Sequence, residues 1–171
     1  MVLAAGVGLS APSGAFVSNA THTPAEARGP DYARRMDEDE ARTRFAAARV
    51  ARLATVRSDG APHVVPVVFV LDGDTIWLVV DEKPKRHRRL QRLIDIAEEP
   101  RVSLLVDAYE EDWTRLWWVR ADGRARLVEN GLELERAVRR MTDRYEQERL
   151  DPPRGPAIAV TVERWVWWTA G

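Results

Sequence analysis

A mainly β fold, an antiparallel sheet closed into a barrel with helices at its ends, is what this sequence predicts. Two observations carry the prediction. Six or seven short β-rich runs are joined mostly across turn signals, among them Ser58-Asp59-Gly60, Asp72-Gly73-Asp74 and Asp122-Gly123. Only about three helical stretches occur: one at the start, one midway between strands and one before the last strand. A doubly wound parallel sheet would need strand and helix to alternate throughout.

The elements follow in order. Asp37-Glu38-Asp39-Glu40 puts acids in a first helical turn, with Asp37 and Glu40 spaced as a capping box, and Ala41, Phe45 and Ala48 share one face. This helix is predicted to end near Arg49. Val50–Arg57 is the first strand. Pro62–Leu71 is the second, with His63, Val65, Val67 and Phe69 on one face and Val64, Val68 and Val70 on the other. Both faces are apolar, which predicts cover on both sides. Pro66 has no amide hydrogen to give a ladder and marks a bulge or an edge. Thr75–Asp81 returns after a tight turn. A helix running to about Glu99 places Leu90, Leu93, Ile94 and Ala97 in one stripe and closes at Pro100. Arg101–Asp107 is a strand, and Tyr109–Trp113 an acidic connection. Thr114–Ala121 and Arg124–Glu129 are predicted to pair as a hairpin over Asp122-Gly123. Asn130–Gln147 reads as one amphipathic helix with Leu134, Val138, Met141 and Tyr145 inward. A Pro-rich loop leads to the final strand, Ala157–Trp168.

Composition removes several functions. The chain of 171 residues has no cysteine, which excludes disulfides, thiolate metal sites and thiol catalysis. With 26 basic against 27 acidic residues it does not resemble a nucleic-acid coat. No apolar run reaches the about 18 residues of a membrane span. His22, His63 and His87 lack metal-ligand spacing, and His63 reads as structural. Residues 1–35 are rich in Ala, Gly, Ser, Pro and Thr without periodicity. They are expected to form a disordered arm or a mis-assigned start, with translation beginning at Met36 and residues 36–171 forming the domain. A signal peptide fits this start poorly, and the protein is expected in the cytoplasm.

One stretch is chemically distinctive. Lys83, Lys85, Arg86, Arg88, Arg89 and Arg92 crowd into ten positions where the Thr75–Asp81 strand hands over to a helix. Cationic side chains beside free helix N–H groups suit a phosphate. No nucleophile–base motif, Walker loop or metalloprotease motif accompanies it. A phosphorylated planar cofactor would explain both this corner and the seven tryptophans.

These segments carry a resemblance. Val50–Val70 is similar to the opening hairpin of the pyridoxamine-5′-phosphate-oxidase-like split β-barrel superfamily, an FMN-binding-like fold. The runs Asp81-Glu82-Lys83-Pro84-Lys85-Arg86, Pro100–Asp107 and Asp112–Arg120 resemble its actinobacterial branch of probable coenzyme F420-dependent enzymes. The resemblance implies a homodimer with cofactor at the interface. The cofactor would be the deazaflavin F420, with FMN as the alternative, serving an oxidoreductase that moves a hydride to or from an unsaturated small organic substrate. A non-catalytic F420-binding or storage protein is the rival from another class, and neither membrane nor nucleic acid is an expected partner. By position, Lys83, Lys85 and Arg86 would meet the phosphate or tail. Val65, Pro66, Val67 and Val80 would lie near the ring, and Arg89 and Arg92 would face the glutamate tail. Trp113, Trp117 and Trp118 are expected at the pocket wall, the dimer seam or the core, and Tyr109 is a candidate proton donor. Related sequences carry Asn where Asp95 stands. The helical wheel puts Asp95 off the apolar stripe, which predicts that it points to water.

Overall fold

The computed structural model describes residues 36–80 and 90–170. Among the described residues seven strands form one antiparallel sheet: β1 (Ala51–Val56), β2 (Pro62–Val67), β3 (Val70–Asp72), β4 (Thr75–Val79), β5 (Arg101–Ala108), β6 (Trp117–Val128) and β7 (Ala157–Thr169). Their order across the sheet is β2-β1-β5-β6-β7-β4-β3. The two outermost strands, β2 and β3, are therefore consecutive in sequence, separated only by Val68 and Phe69. The three steps from Val67 to Val70 span about 11 Å at most, so the two edges must lie close together. That requirement rolls the sheet into a split β-barrel. Pro66 sits on edge strand β2, opposite Arg52, where its missing N–H costs nothing.

The helices are α1 (Glu38–Ala47), α2 (Gln91–Glu98), α3 (Gly131–Arg144) and α4 (Glu146–Leu150), with a short 3-10 turn at Trp113–Arg115. The Asp37 carboxylate caps α1 by accepting from the Glu40 amide at 2.8 Å. Phe45, fully buried, meets the rings of Phe69 and Trp165 at 4.9 and 5.0 Å, so α1 packs into the barrel core. Leu53, Ile76, Leu104, Val106, Val119, Ile158 and Val160 fill that core from the inward strand faces. Among the described residues no helix is long and apolar enough to cross a membrane.

Four expectations are corrected. The predicted second strand splits into β2 and β3, because the peptide groups of Phe69 turn to a side chain instead of a neighbouring strand. The Tyr145 hydroxyl lies 2.8 Å from the Phe69 carbonyl oxygen and 3.2 Å from its amide nitrogen. The outer face of β2 is uncovered among the described residues, with Val64 58% exposed. The predicted hairpin over Asp122-Gly123 is instead one twelve-residue strand, β6, with a bulge there: Asp122 pairs with Arg164 and Gly123 with Val162. Gly123 serves close approach rather than a turn, since a Cβ on it would stand 2.1 Å from the Thr161 carbonyl oxygen. The predicted helix over Asn130–Gln147 breaks at Tyr145, whose φ of −116° and ψ of 115° are extended. Splitting one predicted strand and merging two others leaves the total at seven.

Candidate functional site

The expected ring contacts line one strand and the end of another. On β2, Val65 and Val67 lean on the core while Pro66 faces out. Val80 extends β4 and is buried, held by a hydrogen bond from its amide to the Pro156 carbonyl (3.0 Å) and by one from the Gly155 amide to its own carbonyl (3.1 Å). Val68 and Val79 pack on a common cluster of Val70, Met141 and Tyr145, which brings the exit of β2 beside the end of β4. The expected phosphate and tail contacts Lys83, Lys85, Arg86 and Arg89 lie outside the described residues.

Arg92, in the first turn of α2, is described. It is half-buried, and burial lowers its pKa. Among the described residues no carboxylate pairs with it. A partly desolvated guanidinium with no carboxylate partner among the described residues is a fit for an anionic group, phosphate or carboxylate alike.

The best-defined polar cluster of the site involves a residue assigned above to solvent. Asp95 does not point to water; it is fully buried, and with Ile96 it forms the inward side of α2, while Ala97 is exposed. The apolar stripe is rotated because Asp95 has two partners waiting beneath it on the β1–β2 hairpin and a third on its own helix. The Thr55 hydroxyl on β1 donates to Oδ2 at 2.7 Å, and His63 Nδ1 on β2 stands 2.8 Å from the same oxygen. Gln91 Nε2, one helical turn back, donates to Oδ1 at 2.8 Å. Burial alone would raise the Asp95 pKa, yet these hydrogen bonds and the His63 charge outweigh it and hold the carboxyl below its ordinary range. An ionised carboxylate only accepts, so the hydrogen of this contact belongs to Nδ1. Nε2 is then the ring nitrogen left over, and no described residue bonds to it.

A signal for this cluster was present in the sequence. Thr55 and His63 are direct cross-strand partners, both inward-facing. Two polar side chains at facing core positions call for a third group to satisfy them, and Asp95 is that group.

The tryptophans divide by strand parity. Trp117 turns inward against the core, with the Arg44 guanidinium 5.3 Å from its ring centre. Trp118 pairs in register with Trp168 on the outer face, and Trp113 is 76% exposed in the loop after β5. Tyr109, in the same loop, is also exposed. The outer face carries a second acidic cluster, in which Asp122 accepts from Ser103 (2.7 Å), Arg120 (3.0 Å) and Arg164 (2.7 Å). Among the described residues no group of His, Asp or Glu side chains is arranged to hold a metal ion.

Comparison with known proteins agrees with this architecture. The family model described as pyridoxamine 5′-phosphate oxidase matches residues 37–169. No curated protein matches in sequence. Among solved structures, a conserved hypothetical protein from Mycobacterium tuberculosis superposes with a TM-score of 0.62 at 23% identity, covering 79% of this chain and 86% of that one. An FAD-binding protein from Mesorhizobium loti gives 0.62 at 20% identity, covering 78% and 95%. A haem-binding protein from Mycobacterium smegmatis gives 0.62 at 26% identity and covers 77% of this chain; the match spans about half of that longer protein, 52%.

Proposed function

The chain belongs to the pyridoxamine 5′-phosphate oxidase family, and from that premise we propose that it is an oxidoreductase using the deazaflavin coenzyme F420. Bound in its reduced form, the cofactor would supply a hydride to an electron-poor double bond of a small organic substrate. The observation that carries this reading is Arg92, a half-buried cation without a carboxylate among the described residues, on a helix docked to β2. It continues the basic run of Lys83, Lys85, Arg86 and Arg89, which is longer than one phosphate needs and suits a cofactor with an anionic tail. A planar ring would lie along the backbone of β2 and the end of β4, with Pro66 facing it from the outer side while Val65, Val67 and Val80 turn to the interior, and orientation and exclusion of water are the protein's share of the work.

The same reading has the protein acting as a homodimer. Its support is the outer sheet face, where Val64, Pro66, Leu105, Trp118 and Trp168 gather with no described helix above them. A single species of twice the chain mass is expected in analytical ultracentrifugation at micromolar concentration, and a monomer would argue against an interface site.

Titration of the protein with coenzyme F420 and, separately, with flavin mononucleotide, followed by tryptophan quenching, tests the cofactor. Tight binding of the deazaflavin is the expected result. Binding of FMN alone would favour the second reading, a flavin oxidoreductase, for which the FAD-binding structural neighbour speaks. The double variant Lys83→Ala/Lys85→Ala should weaken binding by about 2–4 kcal/mol, the scale of charged hydrogen bonds, with the thermal unfolding midpoint unchanged. Tight F420 binding with no turnover of any substrate would mark a carrier.

A further inference from the structure

His63 and Asp95 form an arrangement that core packing alone does not require. A carboxylate that is 0% exposed holds the Nδ1 side of an imidazole whose side chain keeps 18% exposure, so one edge of the ring is fixed while part of the side chain still reaches solvent. A buried acid behind Nδ1 fixes the tautomer and leaves Nε2 as the working nitrogen; it also stabilises the imidazolium when Nε2 gains a proton. From β1 the ring is faced by Thr55, whose hydroxyl stands 3.3 Å from Nδ1; from α2 it is faced by Asp95, the one charged group bonded to it among the described residues. His63 shares β2, and the same strand face, with Val65 and Val67. Residues two apart on a strand are separated by about 7 Å, which puts the imidazole one step along β2 from the expected ring contacts Val65, Pro66 and Val67. Tyr109, the donor suggested by sequence, is 71% exposed with no described residue bonded to its hydroxyl.

We propose that His63 is the proton donor and acceptor of this site, with Asp95 as its positioning residue. The proposal rests on the cofactor reading above. When hydride reaches one carbon of the electron-poor double bond, the displaced electron pair takes a proton from Nε2. The Nε2–H bond breaks and a C–H bond forms on the neighbouring carbon. The ring is left neutral, with Nδ1–H still on Asp95, and regains its proton from solvent through its exposed edge. In the reverse direction Nε2 accepts the proton.

Two measurements on the full chain decide it. The first needs no cofactor. Nitrogen-15 NMR of the imidazoles, with the His63 signals assigned by His63→Gln, should show neutral His63 protonated at Nδ1 and bare at Nε2. A ring protonated at Nε2 would overturn the proposal. The second uses diethyl pyrocarbonate, which acylates accessible imidazole nitrogen, read out by peptide mass spectrometry. His63 should be labelled in the free protein and protected when coenzyme F420 is bound. Asp95→Asn should slow the labelling several-fold, because the neutral amide no longer fixes the tautomer. Labelling that is absent, or that persists unchanged on protein shown by tryptophan quenching to hold F420, would overturn the placement. Failure of F420 to quench at all would overturn the cofactor reading and with it the hydride step, while the tautomer still decides by itself whether His63 is a held base.

Discussion

Asp95 and Asp122 are the same side chain solved in two ways. Asp122 lies on the outer sheet face, its side chain 20% exposed, and is compensated by two permanent cations, Arg120 and Arg164, themselves 38% and 66% exposed. Asp95 lies between α2 and the β1–β2 hairpin with no exposure, and among the described residues its partners are a histidine and the neutral Thr55 and Gln91. In both, burial would raise the pKa and hydrogen bonds more than reverse it, from Arg120, Arg164 and Ser103 in one case and from Gln91, Thr55 and His63 in the other. The difference is in what happens when a partner is lost. Around Asp122 water can enter; around Asp95 the buried Thr55 hydroxyl and the inward Nδ1 edge of His63 are left without their acceptor. An outer-face cluster of this kind adjusts the surface, whereas the inner one fixes where a helix sits.

Substitution should separate the two. Asp95→Ala leaves the Thr55 hydroxyl and the His63 Nδ1–H without their acceptor and is expected to cost about 2–4 kcal/mol, on the scale of about 1–3 for each unsatisfied buried group, read from urea denaturation. Gly123→Ala attacks the neighbourhood of the other cluster by forcing a Cβ against the Thr161 carbonyl. It should cost about 3 kcal/mol through overpacking and disturb the Asp122–Arg164 contact while leaving the His63 imidazole signals in place. Asp122→Ala should cost only about 1 kcal/mol, because its partners are largely exposed and screened. Equal losses for Asp95→Ala and Asp122→Ala would erase the distinction.

Acidity gives a finer contrast. A carboxyl with a depressed folded pKa contributes stability that is fully present above its unfolded value, about 3.9 for Asp, and that is lost as pH falls through the folded value. Stability of the wild type should therefore fall as pH drops below about 5. Asp95→Asn and Asp122→Asn should each flatten that fall. Added salt should remove most of the Asp122 share and little of the Asp95 share, since buried pairs are screened less. Urea midpoints at several pH values, with and without 0.5 M salt on the scale that shortens screening to a few ångströms (about 0.5 M), would read it.

Much of this organisation was legible in the residues. Strand alternation and the turns at Ser58-Asp59-Gly60 and Asp72-Gly73-Asp74 located the first hairpins, and α1 with its Asp37 cap follows the expected pattern. What escaped prediction depends on contacts far apart in sequence. Asp122-Gly123 has turn composition, but its glycine answers to a backbone on β7. Tyr145 continues a helical stripe, but its hydroxyl is claimed by Phe69, 76 residues away. Asp95 is polar on a helix whose apolar stripe points elsewhere, and only the fold shows that β1 and β2 have prepared a polar socket for it. Of the cofactor residues expected from the sequence, Val65, Pro66, Val67, Val80 and Arg92 are placed, and the basic run before α2 is outside the described residues.

The break between β2 and β3 has a kinetic consequence. The strands on either side of it can form early from local hairpins, but the peptide of Phe69 and the carbonyl of Arg49 wait for a hydroxyl that arrives 76 and 96 residues later in the chain. Closing so long a loop is slow and entropically costly, so the barrel's seam is set to zip last, after α3 has docked. An interaction formed after the rate-limiting barrier governs how fast a protein comes apart and hardly alters how fast it assembles. Tyr145→Phe should accordingly quicken unfolding in stopped-flow measurements and leave the refolding limb nearly unmoved, making one phenol oxygen the latch on the lifetime of the native state.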